Sequence, residues 1–217
     1  RPAFKIREKD GSISEMKYPK LLNIVNALGT ALCSLGLKAK HIAIMGKNSH
    51  KWCISYFGIT NGTGVVVPID KELMAEDVLN ILTVSEAKAM FVDDKSYEKL
   101  QEIKDRLPQD FTFIGLDEIE GLKNIDELIK LGEELLEKGD RTFIDAEVDG
   151  NAMSSLLFTS GTTGMAKGVM LSQKNIIEDI RAIKKLVKIT PDDTILSVLP
   201  LHHTYENSLC FVQLMYT

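Results

Sequence analysis

Cysteine is scarce and dispersed: Cys33, Cys53 and Cys210 are the three in the chain, and no CxxC pair occurs. An odd, scattered set argues against a disulfide framework or a zinc site. It reads instead as small hydrophobes in a reducing, cytoplasmic setting. Long apolar runs are missing too, and no stretch approaches the ~20 residues that span a bilayer. Neither sign of charge dominates, since 26 Lys+Arg stand against 31 Asp+Glu for a formal charge of −5. That balance argues against broad electrostatic binding to nucleic acid or to anionic lipid, but leaves room for one local anion site. Arg1–Asp10 carries six charges of both signs and does not read as a secretory leader. There is no internal repeat and no low-complexity tract.

What is present is ordinary globular material, 217 residues with 44% hydrophobic and 26% charged, enough to bury a substantial core. Helical and strand-like segments alternate, which predicts an α/β fold with a largely parallel sheet and helices on both faces. Leu21, Val25, Leu28, Leu32 and Leu35 recur at helical spacing before Gly36, and His41–Met45 follows as a buried strand. Trp52–Ile59 reads as a helix capped by Asn48 or Ser49. Strands are expected at Gly64–Ile69, Ala87–Val92 and Phe111–Ile114. Helical stripes are expected through Met74, Val78, Ile81 and Leu82, through Tyr97, Leu100, Ile103 and Leu107, and through Ile125–Leu136 up to Gly139.

Arg141–Asn151 is polar and aperiodic, a linker-like crossing. Beyond it come a buried strand at Ser155–Phe158, another at Val169–Leu171, and a long helix capped by Ser172 with Ile176, Ile180, Ile183 and Val187 on one face. Pro191–Asp193 reads as a turn and Ile195–Leu199 as a last strand. Ser208–Thr217 is apolar and stops without a cap, as expected of an incomplete N-terminal part of a larger domain. Such an edge would self-associate.

One segment stands apart from ordinary connecting chain. Thr159, Ser160, Gly161, Thr162, Thr163 and Gly164 are only Thr, Ser and Gly, and Lys167 follows three places later. Glycine lets a backbone approach a ligand closely. The hydroxyls and N–H groups can surround phosphate oxygens, and the lysine adds a full charge. The plain alternative is a flexible hairpin, but the apolar flanks Leu156–Phe158 and Val169–Leu171 read as buried strands and weigh against it. It is not a Walker A loop, because Ala166 precedes Lys167 and Gly168 follows it where Gly and Ser/Thr are needed. Nor is it a nucleophile elbow, since Phe158 and Thr162 stand where GxSxG needs glycine. That weakens a serine-hydrolase reading built on Ser160 and His203.

The second segment is Leu199–Glu206, LPLHHTYE, at the expected end of a strand, where ligands of open α/β sheets gather. His202 and His203 would point to opposite faces if extended, so at most one would serve. No third ligand stands at zinc spacing, and no metal site is assigned to these residues. His41 and His50 carry no expected role.

Together the two segments resemble the adenylate-forming family of acyl-CoA synthetases, luciferases and peptide-synthetase adenylation domains. The family's loop, approximately [ST]SGTTGxPKG, corresponds to Thr159–Gly168, with Ala166 where proline is usual. Its next motif, commonly LPLFHxxG, corresponds to Leu199–Glu206, with His202 for Phe and Glu206 for Gly. An LPLxHxYE form looks like the long-chain fatty acyl-CoA synthetase branch. Arg1–Phe4, Asn48-Ser49 and Val66-Val67-Pro68 resemble the family's opening region.

The resemblance implies ATP-dependent activation of a fatty acid or other carboxylate to an acyl-adenylate, with release of pyrophosphate and then transfer to CoA. It implies that Thr159–Thr163, Gly164 and Lys167 hold the ATP phosphates. His203 would orient the carboxylate. The magnesium glutamate, the ribose aspartate and the C-terminal catalytic lysine find no counterpart before Thr217, so Mg2+ and CoA would be held mainly by other parts. Residues 1–217 would then be a partial N-terminal AMP-binding domain, inactive alone. An aryl or short-chain acyl-CoA synthetase, or a non-catalytic nucleotide-binding module, stays open. A fatty substrate is compatible with peripheral membrane contact, although no basic amphipathic helix demands it.

Overall fold

The computed structural model describes residues 1–8, 10–159 and 167–216. It begins with an antiparallel hairpin, β1 (Pro2–Arg7) and β2 (Ile13–Lys17), which the sequence pattern did not announce. Its turn uses Gly11 at φ +87° and the Asp10 carboxylate, which accepts from the Ser12 N–H at 2.9 Å. α1 (Tyr18–Ser34) follows, and its end is closed as expected. Gly36 sits at φ +77°, its N–H reaches Cys33 O, and the Leu37 N–H reaches Leu32 O. That pair of bonds satisfies carbonyls the helix itself leaves open.

The main sheet has six strands in the order β6-β5-β3-β4-β7-β8. They are β3 (His41–Met45), β4 (Val65–Ile69), β5 (Ala89–Val92), β6 (Thr112–Gly115), β7 (Met153–Thr159) and β8 (Lys167–Ser172). Every neighbour pair is parallel except β7–β8. This is the expected α/β fold with a largely parallel sheet. Side chains alternate across it: Ile42, Ile44, Ala89, Phe91 and Ile114 enter one apolar cluster, and Ala43, Met45, Met90, Val92 and Phe113 enter the other. Burial on both sides explains why these strands read as continuous apolar runs.

On the first face lie α1, α2 (His50–Thr60) and α5 (Ile125–Glu137). On the second lie α3 (Ala75–Val84), α4 (Asp94–Leu100) and the 3-10 turns Gln101–Arg106 that continue it. The crossing at 141–151 is anchored rather than loose. Phe143 is buried, and its ring fills the space above Gly29, where an added Cβ would meet it at 2.2 Å.

Two expectations beyond the sheet need correction. The helix capped by Ser172, α6 (Gln173–Ile183), is shorter than its stripe suggested, and Val187 lies past its end and half exposed. Ile195–Leu199 is not a strand. It has apolar β-branched residues, but among the described residues no strand lies beside it, and Leu196 and Val198 are exposed. After it the chain turns into a π-helical stretch, Glu206–Val212, and α7 (Gln213–Tyr216). Phe211 returns to the first core, against Tyr56 and Phe57 of α2.

The tightest joint in the fold is between α1 and α5. A Cβ on Gly132 would lie 1.8 Å from the Ala27 carbonyl oxygen. Gly132→Ala is therefore expected to destabilise the chain by about 1–3 kcal/mol, the range for overpacking. Gly150→Ala, with nothing within 4 Å, should be close to neutral. Urea unfolding of both would show it, and equal midpoints would refute the close approach.

Candidate functional site

The four parallel strands β3, β4, β5 and β6 end on one edge, and β7, parallel to β4, ends there as well. In open α/β sheets this carboxyl edge is where backbone groups and loop side chains are free to meet a ligand. Two features named from the sequence converge on it.

The first is the Thr/Ser/Gly segment. β7 and β8 form a hairpin ladder running Leu157↔Val169, Phe158↔Gly168 and Thr159↔Lys167. Thr159 is the last residue of β7 and Lys167 the first of β8, and both are exposed. They stand directly opposite each other at the mouth of the hairpin. Ser160, Gly161, Thr162, Thr163 and Gly164 lie outside the described residues.

The second is the His202-His203 segment. It is not the extended strand end that was expected. The His203 N–H reaches Pro200 O at 3.0 Å, so the chain turns, and the two rings lie 5.3 Å apart instead of on opposite faces. His203 is exposed. His202 is half-buried, with Nε2 3.6 Å from Oδ2 of Asp70, the residue that follows β4. Burial chiefly lowers the His202 pKa from its ordinary value; Asp70 opposes that shift, and His203 and Lys71 add to it. The residues just after the pair are close to the hairpin. Thr204, Asn207 and Ser208 line one small cavity with Leu157 of β7 and Leu171 of β8.

Pro68 and Tyr56 line the same cavity. Proline has no N–H to give, and Pro68 stands where the β4–β7 ladder has narrowed to the single pair Val66↔Ser155.

Residue typing missed what holds the histidine segment. Asn48 and Ser49 were equal candidates for the cap of α2, and Ser49 takes the role, its Oγ accepting from the Trp52 N–H at 3.1 Å. That leaves the Asn48 amide for another partner. Its Nδ2 donates to Ser197 Oγ at 3.0 Å and to Leu199 O at 2.6 Å, and its Oδ1 accepts from the Leu201 N–H at 3.1 Å. Glu206, only 1% exposed, accepts from the Ser197 hydroxyl. The available signals were the spare cap residue in Asn48-Ser49 and the carboxylate standing where glycine is usual.

The three cysteines are free thiols; Cys53 is buried, and burial raises the Cys210 pKa to about 11, helped by Glu206. No group of three or more His, Cys, Asp or Glu among the described residues could hold a metal ion.

A model of the family described as AMP-binding enzyme matches residues 1–216. Long-chain-fatty-acid–CoA ligase 1 of Homo sapiens is 29% identical to the chain, over 94% of it and 32% of the human protein. The chain thus spans about a third of the length of the curated relatives it matches. Among solved structures, the anthranilate CoA ligase AuaEII in complex with anthranoyl-AMP superposes with a TM-score of 0.80 at 22% identity, covering 93% of this chain and 39% of that one. A long-chain-fatty-acid-CoA ligase from Archaeoglobus fulgidus gives 0.76 at 21%, covering 93% and 38%. At those identities the likeness is one of fold.

The Asp70–His202 contact has a checkable sign. Asp70→Asn removes the charge that favours the imidazolium, so the His202 pKa should fall further below its ordinary value. The folded chain already holds fewer protons on His202 than the unfolded one. This group's stabilising contribution is therefore present above the ordinary histidine pKa and is lost as pH falls through the window below it. Titration of the His202 ring by NMR decides it, and a rise in the variant would refute the assigned contact.

Proposed function

The chain belongs to the AMP-binding enzyme family, and from that premise we propose that it is the N-terminal part of the AMP-binding domain of an acid–CoA ligase acting on long-chain fatty acids. The observation that carries the reading is the opposition of Thr159 and Lys167 at the mouth of the β7–β8 hairpin. It brackets a Ser/Thr/Gly stretch between a hydroxyl and a cation, at the carboxyl edge of the sheet. The relatives' names support the fatty acyl substrate, human long-chain-fatty-acid–CoA ligase 1 among them.

The first step joins two anions, a carboxylate and the α-phosphate of ATP, and pyrophosphate leaves as the acyl–phosphate bond forms. The protein must offset that repulsion and align the two groups. In this reading Thr159, Ser160, Gly161, Thr162, Thr163, Gly164 and Lys167 hold the β- and γ-phosphates, with the lysine countering charge that grows on the leaving pyrophosphate. His203, exposed beside the same edge, orients the carboxylate. It need not act as a base, because a carboxylate is already ionised at neutral pH. CoA then takes the acyl group in the second step.

Magnesium would be carried by the phosphates and mainly by other parts of the whole protein, as the family resemblance implies. Cytoplasmic placement, peripheral contact with a membrane that supplies the fatty acid, and self-association through exposed apolar edges belong to the same proposal.

Fatty-acid-dependent pyrophosphate release by the whole protein tests it, with acyl chain length varied. Lys167→Ala should lower kcat/KM by about ten- to a hundred-fold, the worth of one charge-assisted hydrogen bond. Residues 1–217 alone should release none. No release by the unaltered whole protein with any carboxylate, despite ATP binding, would leave a nucleotide-binding module in place of a ligase.

A further inference from the structure

The segment that carries His202 and His203 has an unusual attachment. From Thr194 to Leu199 it is exposed and unpaired by any strand among the described residues. Such a stretch would wander unless something fixed it. Beside a Lys5–Thr194 bond at 3.4 Å and the Ser197–Glu206 bond, it is held by one side chain about 150 residues earlier in the sequence. Asn48 sits in the turn between β3 and α2, its neighbours Lys47 and Ser49 each committed elsewhere. The Lys47 N–H is held by Asp93 Oδ2 at 2.8 Å, and Ser49 caps the helix. The turn is therefore held on both sides of Asn48.

We propose that Asn48 is a positioning residue for the carboxylate-activating step: its amide clamps Ser197, Leu199 and Leu201 so that His203 stands at a fixed place on the carboxyl edge of the sheet. Three bonds from one planar amide fix both location and direction, because both donors of Nδ2 and one acceptor site of Oδ1 are engaged on alternate residues of the same segment. Ser197 passes the restraint on, since its hydroxyl bonds Glu206 at the start of the π-helical stretch. The Pro200–His203 turn is thus held on both flanks, by Asn48 before it and Glu206 after it, while Asp70 steadies the first histidine.

Aspartate at position 48 would keep the acceptor for Leu201 and lose both donated bonds. Glutamine would place the amide one methylene too far. Alanine would lose everything while leaving the Ser49 cap intact.

The proposal rests on the reading of His203 as the residue that orients the carboxylate, so the test has two arms. In the whole protein, hydrogen exchange of the Leu201 amide is measured for the unaltered protein, Asn48→Asp and Asn48→Ala. Exchange should be fastest in Asn48→Ala and intermediate in Asn48→Asp, with unchanged protection in β3 and β5 showing that the fold survives. In the whole protein, pyrophosphate release is measured against carboxylate and ATP separately. Asn48→Ala should lower kcat/KM for the carboxylate by about a hundred-fold, the cost of a misplacement of ~1 Å. KM for ATP should stay within about two-fold and Asn48→Asp should recover part of the loss, neither of which general destabilisation would produce.

Ser197→Ala, which leaves two of the three amide bonds, serves if Asn48→Ala fails to fold, and should show the same split at smaller size. An unchanged Leu201 exchange rate overturns the clamp. A changed exchange rate with unchanged carboxylate kinetics overturns the positioning role. Absence of any carboxylate-dependent release by the unaltered protein sinks the ligase reading and, with it, the positioning role, while the exchange arm still decides the clamp.

Discussion

Strand β3 is hydrogen-bonded in register to β4 on one side and to β5 on the other, and its residues alternate into two separate apolar clusters. A strand in that position cannot leave a backbone group unpaired without a cost of about 1–3 kcal/mol, because water reaches neither face. The chain leaving its carboxyl end ties three neighbouring parts of the fold together. Gly46 lets the chain pass close to its neighbours, since a Cβ there would meet the Leu116 side chain at 3.0 Å and the Asp93 carboxylate at 3.2 Å. Lys47, Asn48 and Ser49 then each bind a different neighbour: Asp93, the segment around Leu199, and the first turn of α2.

Much of this architecture is legible in the residues. A strand buried on both faces has nothing to alternate with, so HIAIM and VVVPI show as unbroken apolar runs, and the helices between them show as stripes. The helix ends at Gly36 and Gly139, both at positive φ, carry the signature that backbone geometry demands there. Ile195–Leu199 misled because β-branched composition reports a preference for extended chain, whereas a strand also needs a neighbour to bond. The side chains that hold that stretch, Asn48 far away in sequence among them, leave no local periodicity. The N-terminal hairpin hid for another reason: its strands are short and only Met16 among their residues is buried, so no apolar run marks them.

The candidate site was legible in its chemistry and not in its geometry. Thr159 and Lys167 stand opposite each other at the end of the β7–β8 ladder, and the hydroxyls, glycines and lysine of that short stretch are what single it out in the sequence. The histidine pair was readable as a pair. A turn donated by the His203 N–H to Pro200, not the alternation of an extended chain, sets which ring is half-buried against Asp70 and which is exposed.

The β7–β8 ladder has one more consequence. Paired from Met153↔Ser172 out to Thr159↔Lys167, it brings the two ends of the Ser160–Ala166 stretch together whether or not any ligand is present. The entropy of bringing those two ends together is thus met by strand pairing. The two strands hold their register through their own ladder, and the composition of the stretch between them is not what joins them, which is why so short a stretch can differ so sharply in character from its flanks.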